Sequence, residues 1–274
     1  MTESKERLPA IVHSCYFNAS REGEQFVPDH IFSYQVSGSI VVNDGDTERT
    51  FGPGEFRFSK RNQLARFVKL PPPNGEFKTI AIRFDQQTLR EFSEAYGYKA
   101  VRKEHTDAFL RLPNATLYKD FIDSLIPYLG EGQLDDQNLI ALKLKEALLI
   151  LIKVNPELKD ILFDFSEPGK IDLEGFMQRN FHFKVSLNRF AYLTGRSLAT
   201  FKRDFQKIFK LSPGRWLIKR RLQEAYYLIK EQGKRPSEVY IDLGFEDFSH
   251  FCYVFRMAYG VSPAKVKEIR NLAV

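Results

Sequence analysis

The sequence predicts an α+β chain of two domains. A β-rich N-terminal module passes into a helical hairpin, and an all-helical module follows it. Three observations carry this. Short alternating strands separated by turn residues fill residues 10–84. The apolar period then changes from two to about 3.6 residues. Charge also divides: from Ser166 onward there are 20 Lys and Arg against 11 Asp and Glu, a net of +9, while the first 165 residues carry 21 against 24, a net of −3. The overall +6 on 274 residues decides little, but a basic module joined to a mildly acidic one suggests a polyanionic partner for the basic half.

The strands come in order. Ile31–Val36 and Ser39–Val42 are rich in β-branched and aromatic residues, with Ser37-Gly38 as a turn. Asn43-Asp44-Gly45-Asp46 is a hairpin turn leading into Thr47–Phe51. Gly52-Pro53-Gly54 precedes Glu55–Ser59, and Ala65–Leu70 and Phe77–Phe84 complete a small sandwich or barrel. Inward-facing residues such as Tyr34 or Phe56 either line a pocket or fill it, and small barrels are usually filled.

The next segment is helical. Gln86–Tyr96 reads as one helix, and Leu117–Leu129 has apolar residues at 117, 121, 122, 125, 126 and 129. Leu139–Val154 carries a wide apolar face of Leu139, Leu142, Leu144, Leu148, Leu149 and Ile152, opened by Asp135, Asp136 and Asn138 and stopped by Asn155-Pro156. The two longer helices, joined by a Gly-containing loop, form an antiparallel hairpin suited to homodimerisation through residues 117–154. Glu167-Pro168-Gly169 is the linker, which gives domains of about 1–165 and 170–274.

The C-terminal module repeats itself at an offset of 50 residues. Phe201, Phe205 and Phe209 match Phe251, Phe255 and Tyr259, and Leu211-Ser212-Pro213 matches Val261-Ser262-Pro263. In each copy a short helix (Leu187–Leu193; Ser237–Leu243) meets a Gly-containing turn and then a second helix (Leu198–Lys210; Phe248–Tyr259). That is a helix-turn-helix, twice. In copy one Phe201, Phe205 and Ile208 form the apolar face, Ser197 is the N-cap with Thr200 in the first turn, and Ala199, Lys202, Arg203 and Gln206 share the other face. Arg and Lys side chains on such a face suit guanine O6 and N7 in a major groove. Copy two exposes Ser249, Cys252, Tyr253 and Arg256, a less basic set. Arg196, Lys207 and Arg220 are the expected phosphate contacts. Between the copies, Pro213–Lys230 has an apolar stripe with charge at Lys219, Arg220 and Arg221. As a helix its 18 residues span about 27 Å, near the roughly 34 Å between successive major grooves.

Several function classes find no support. Met1–Arg7 is polar with no apolar run behind it, so no secretory signal is expected. No stretch approaches the length of a membrane span. Cys15 and Cys252 form no pairable motif and suit a reduced, cytoplasmic protein. His13 and His30 are the only histidines in the barrel region, so no metal or other cofactor is expected. Gly52-Pro53-Gly54 lacks the rest of a phosphate loop, and His182 and His250 have no evident triad partners. Lys60-Arg61 with Arg66 is a basic cluster, either solvated surface or a contact for an anionic effector.

Residues 170–270 resemble the AraC/XylS family of bacterial transcription regulators. The resemblance rests on Ile241-Asp242-Leu243-Gly244-Phe245, then Ser249-His250-Phe251, Phe255 and Gly260-Val261-Ser262-Pro263. It implies double-stranded DNA as partner, with base reading by Ala199, Lys202 and Arg203, then by Phe248, Ser249, Cys252 and Tyr253. The family often carries Arg where this chain has Tyr253. His30–Gly38 and Phe51-Gly52-Pro53-Gly54-Glu55 look like strands and a turn of the family's cupin-like sensory barrel. The expected function is therefore a DNA-binding regulator, an activator, controlled by a small-molecule effector or a regulatory protein at residues 1–165. The alternative is a cupin-type enzyme with a DNA-binding tail, which needs a metal or an acid/base pair that the barrel sequence does not supply.

Overall fold

Period-two alternation in the N-terminal strands resolves into sheets with two different faces. The structure is a computed structural model that describes residues 9–20, 25–101, 107–129 and 136–266. The N-terminal polar segment, the loop between the hairpin helices with Asp135, and residues beyond 266 lie outside the described residues. The chain divides into two units, one of Met1–Gly23 with Val27–Ser166, the other of Glu24–Phe26 with Glu167–Val274.

The first unit holds β1 (Ile11–Tyr16), Val27 of β2 (Phe26–Val27), β3 (His30–Ser37), β4 (Ser39–Asn43) and β5 (Glu48–Phe51). β6 (Phe56–Ser59), β7 (Gln63–Leu64), β8 (Arg66–Leu70) and β9 (Phe77–Phe84) follow, and β10 (Phe109–Leu112) comes after the first helix. The strands form a five-stranded sheet ordered β1-β9-β3-β6-β10, a three-stranded sheet ordered β5-β4-β8 and a two-stranded β2-β7 pair, rather than one closed barrel. β10 falls in the stretch expected to be helical. Its four residues give too short a pattern to be read, and pairing with β6 decides its state.

The faces correct an expectation. Phe32, Phe56, Phe58, Ile80 and Ile82 cluster with helix residues Leu89, Tyr118, Phe121 and Leu148, and Tyr34 packs against the same cluster. Tyr34 and Phe56 therefore face the helices and neither line nor fill the space between the sheets. That space holds the smaller cluster of Val27, Ile40, Val42, Phe51, Ala65, Phe77 and Phe109.

The helices are α1 (Gln86–Tyr96), α2 (Thr116–Leu125), α3 (Gln137–Val154) and α4 (Leu158–Leu162). Asp85 caps α1 through the Thr88 N–H, and Asp136 caps α3. α2 ends in a 3-10 turn over Ile126–Tyr128, because Pro127 donates no N–H to continue it. The wide apolar face of α3 splits: Leu144, Ala147, Leu148 and Leu151 are buried, while Leu142 and Leu149 face outward. Leu117 and Ile126 are likewise exposed. Arg61, expected within a basic cluster, is buried, and its guanidinium donates to the carbonyls of Asp164 (3.1 Å) and Ser166 (2.7 Å). A polar group can enter the interior only where its donors find partners.

The second unit is helical: α5 (Leu173–Asn180), α6 (Leu187–Leu193), α7 (Leu198–Phe209), α8 (Pro213–Lys230), α9 (Pro236–Asp242) and α10 (Phe248–Tyr259). No helix among the described residues is long and apolar enough to cross a membrane.

Candidate nucleic-acid interface

Each copy of the repeat builds the same device from its own residues. In the first, Ser186 caps α6 and Ser197 caps α7, the latter accepting from the Thr200 N–H. The turn between them needs Gly195. Its φ is +64°, and a Cβ there would sit 2.4 Å from the Gly169 backbone. In the second copy Asp247 caps α10, accepting from the His250 N–H at 2.6 Å. Gly244 has φ +75°, and a Cβ there would meet the His182 carbonyl at 2.8 Å.

Aromatic rows anchor both second helices. Phe201, Phe205 and Phe209 run along α7, and Phe205 and Phe209 pack on Trp216 of α8 at ring distances of 5.5 and 4.6 Å. Phe251, Phe255 and Tyr259 do the same on α10, with Tyr226 of α8 against the last two. Ile208, expected on the apolar face, is 41% exposed, and Phe209 takes the anchoring place.

With the rows buried, the opposite faces open outward. On α7, Lys202, Arg203 and Gln206 are exposed, as are Ser197 and Ala199, and Thr200 is half-buried in the first turn. Lys207 is exposed further along. On α10, Phe248, Ser249, Tyr253 and Arg256 are exposed and Cys252 is partly covered. Tyr253 is 64% exposed and Met257, one turn on, 72%. Burial and the nearby Asp247 raise the Cys252 thiol pKa, which disfavours the reactive thiolate.

Not every basic residue faces outward. The Arg196 side chain is only 7% exposed. It donates through Nε to Asp204 (3.2 Å) and through Nη1 to the carbonyls of Ile171 (3.0 Å) and Thr194 (2.7 Å). The Arg196 hydrogen bond is also the main reason the Asp204 pKa is lowered. Arg220 is half-buried, paired with Glu224 at 3.0 Å and stacked over Phe181. Together with Lys219 it borders a cleft of about 340 Å³ walled by Phe209 and Trp216. Arg221 does not join Lys219 as surface charge. Its guanidinium donates to the carbonyls of Phe181 (2.8 Å), Gly244 (2.7 Å) and Phe183 (2.9 Å), and desolvation lowers its pKa to about 10. Sequence reading misses the Arg196 and Arg221 clamps because most of their partners are backbone carbonyls far away in the chain.

A helix-turn-helix domain model matches residues 190–269, and a model of the ExsA N-terminal regulatory domain matches residues 30–161. The HTH-type transcriptional regulator ExsA of Pseudomonas aeruginosa is 22% identical over 262 residues, spanning 94% of this chain and 92% of that protein. The virulence regulon transcriptional activator VirF of Yersinia enterocolitica is 26% identical over 173 residues, 58% of this chain and 63% of that one. Among solved structures, an apo variant of ToxT from Vibrio cholerae aligns with a TM-score of 0.47 at 12% identity, covering 96% of this chain and 98% of that one. With a repeated helix-turn-helix behind an ExsA-type regulatory domain, the chain belongs to the AraC/XylS family of DNA-binding transcription regulators.

Proposed function

We propose that α7 and α10 enter successive major grooves on one face of double-stranded DNA, held apart by α8. Lys202, Arg203 and Gln206 read base edges, with Ser197, Ala199 and Thr200 at the entering end of α7. Phe248, Ser249, Cys252 and Tyr253 do so on α10, through apolar contact and single hydrogen bonds rather than bidentate cation pairs, with Arg256 in its last turn. Lys207 serves the phosphates. Arg220, tied to Glu224, is a weaker phosphate candidate, and Arg196 is committed to its internal carbonyls and Asp204. The observation that carries this reading is the pairing of each buried aromatic row with an outward-facing row on the same helix, basic and polar on α7 and largely aromatic on α10.

The chain acts as an activator in the cytoplasm, a reading supported by the activator named among its relatives. Residues 1–165 form the regulatory and dimerisation domain and residues 170–274 the DNA-binding domain. The outward Leu117, Ile126, Leu142 and Leu149 support pairing of two chains through the 117–154 hairpin. Operator binding across a salt series tests the core of the reading. Affinity is expected to fall steeply and log-linearly with salt, and sequence preference is expected to persist. Salt-independent binding, or equal affinity for unrelated duplexes, contradicts it.

A further inference from the structure

The five-stranded sheet turns one polar patch toward the space between the sheets. Ser33 and Gln35 lie two residues apart on β3, and the antiparallel register sets Ser33 directly across from Arg57 of β6. All three are buried, Ser33 at 3%, Gln35 at 2% and Arg57 at 7% exposure. Each has a polar atom with no hydrogen-bond partner among the described residues: Ser33 Oγ, Gln35 Oε1 and Arg57 Nε. The Gln35 amide nitrogen donates to the carbonyls of Ser37 (2.7 Å) and Lys78 (3.1 Å), which assigns the unpartnered atom as its oxygen. Thr79, on the same face, is satisfied by the Tyr34 carbonyl at 3.0 Å.

Arg57 is the anomaly. Its guanidinium sits 5.2 Å from the Phe51 ring centroid, and Phe51 is itself buried. Desolvation lowers its pKa to about 10, and no carboxylate among the described residues opposes the shift. Neighbouring Arg111 is engaged with Glu55 and with the Thr50 carbonyl. A buried cation without a counter-charge is a heavy cost to a fold unless an anion compensates it. The three unpartnered atoms differ in kind: a charged donor, a hydroxyl and an amide acceptor. Strand spacing places the β-carbons of these three residues within about 5–8 Å of one another, on one face of the sheet.

We propose that this patch anchors a small carboxylate carrying a second hydrogen-bond donor, a hydroxy or amino acid. The carboxylate takes Arg57 Nε and Ser33 Oγ, and the donor takes Gln35 Oε1. This rests on the reading that the N-terminal unit controls the regulator, and it names the class of effector.

The test is thermal unfolding of the full chain titrated with L-lactate and L-alanine, and in parallel with lactamide and alaninamide. At least one acid is expected to raise the midpoint saturably by a few degrees, its amide is not, and Arg57→Met is expected to abolish the response. Should Arg57→Met fail to fold, Ser33→Ala and Gln35→Leu are each expected to weaken the acid by about tenfold. Equal shifts from acid and amide, an unchanged response in these variants, or no response to either acid at about 10 mM overturns the proposal and leaves ordered water as the occupant. Operator affinity in the same titration separates the two claims. Acid binding at Arg57 with unchanged operator affinity keeps the site and removes the control reading. Absence of acid binding overturns the site and leaves the control reading standing.

Discussion

Arg221 Nη1 donates to the Gly244 carbonyl at 2.7 Å, tying the linker helix α8 to the turn of the second helix-turn-helix. The same guanidinium holds the Phe181 and Phe183 carbonyls ahead of the first repeat. One side chain therefore registers three backbone segments. Arg221→Lys keeps the charge but loses the planar fork, and is expected to cost about 2–3 kcal/mol of stability in urea unfolding. A cost equal to that of an exposed Lys substitution contradicts the clamp.

Lys202 and Arg203 project from α7 with no buried role, although Arg203 Nε lies 3.8 Å from Asp204. Lys202→Ala with Arg203→Ala is expected to weaken operator binding by roughly 1–3 kcal/mol per lost base contact. Urea unfolding is expected to stay within about 0.5 kcal/mol of wild type. Wild-type operator affinity in the double variant removes α7 from the groove.

The legible parts of this chain are those fixed by local chemistry. The α1, α8 and α10 spans follow from periodicity, with Pro213 at the start of α8, and the structure adds the Asp85 and Asp247 caps. The helix-turn-helix pair is legible because the aromatic spacing repeats. What escapes is decided by distant partners. Arg61 reads as part of a basic cluster, solvated or facing an anionic effector, until its guanidinium is seen bonded to carbonyls about a hundred residues on. Arg196 reads as a phosphate contact, and Arg221 as surface charge on the linker helix, for the same reason. Tyr34 and Phe56 sit on the opposite side of their sheet from the one expected, since period two says that residues share a face but not which layer covers it.

His30 gives the N-terminal unit a signature in pH. Its ring is buried against Phe58, its Nδ1 accepts from the Arg61 N–H, and desolvation, with Arg61 and Lys60 adding to it against Asp164, lowers its pKa from 6.5 to about 3. Below pH 6.5 the unfolded chain binds a proton that the folded chain refuses. The stabilisation is therefore complete above about 6.5 and is lost as pH falls toward 3, at about 1.4 kcal/mol per pH unit. His30→Asn keeps an acceptor for Arg61 and is expected to flatten the stability slope between about pH 5 and 6.5. An unchanged slope, measured by denaturant titration, assigns the acid sensitivity elsewhere.

Leu142 and Leu149 lie seven residues apart on α3, 63% and 40% exposed, and share one face by helical spacing. Leu142→Glu with Leu149→Glu is expected to convert a dimer to a monomer in light scattering, with the unit still folded. A wild-type chain that is monomeric at all concentrations, or a variant that still dimerises, contradicts pairing through this hairpin.

On the proposed reading, one chain spans two adjacent groove segments with α7 and α10. Base-resolved chemical protection of a single bound operator site by one chain tests it most directly. Two protected patches are expected on one face of the duplex, centred about 10 base pairs apart, with the Lys202→Ala, Arg203→Ala variant losing only one of them. A single patch, or loss of both in that variant, contradicts it.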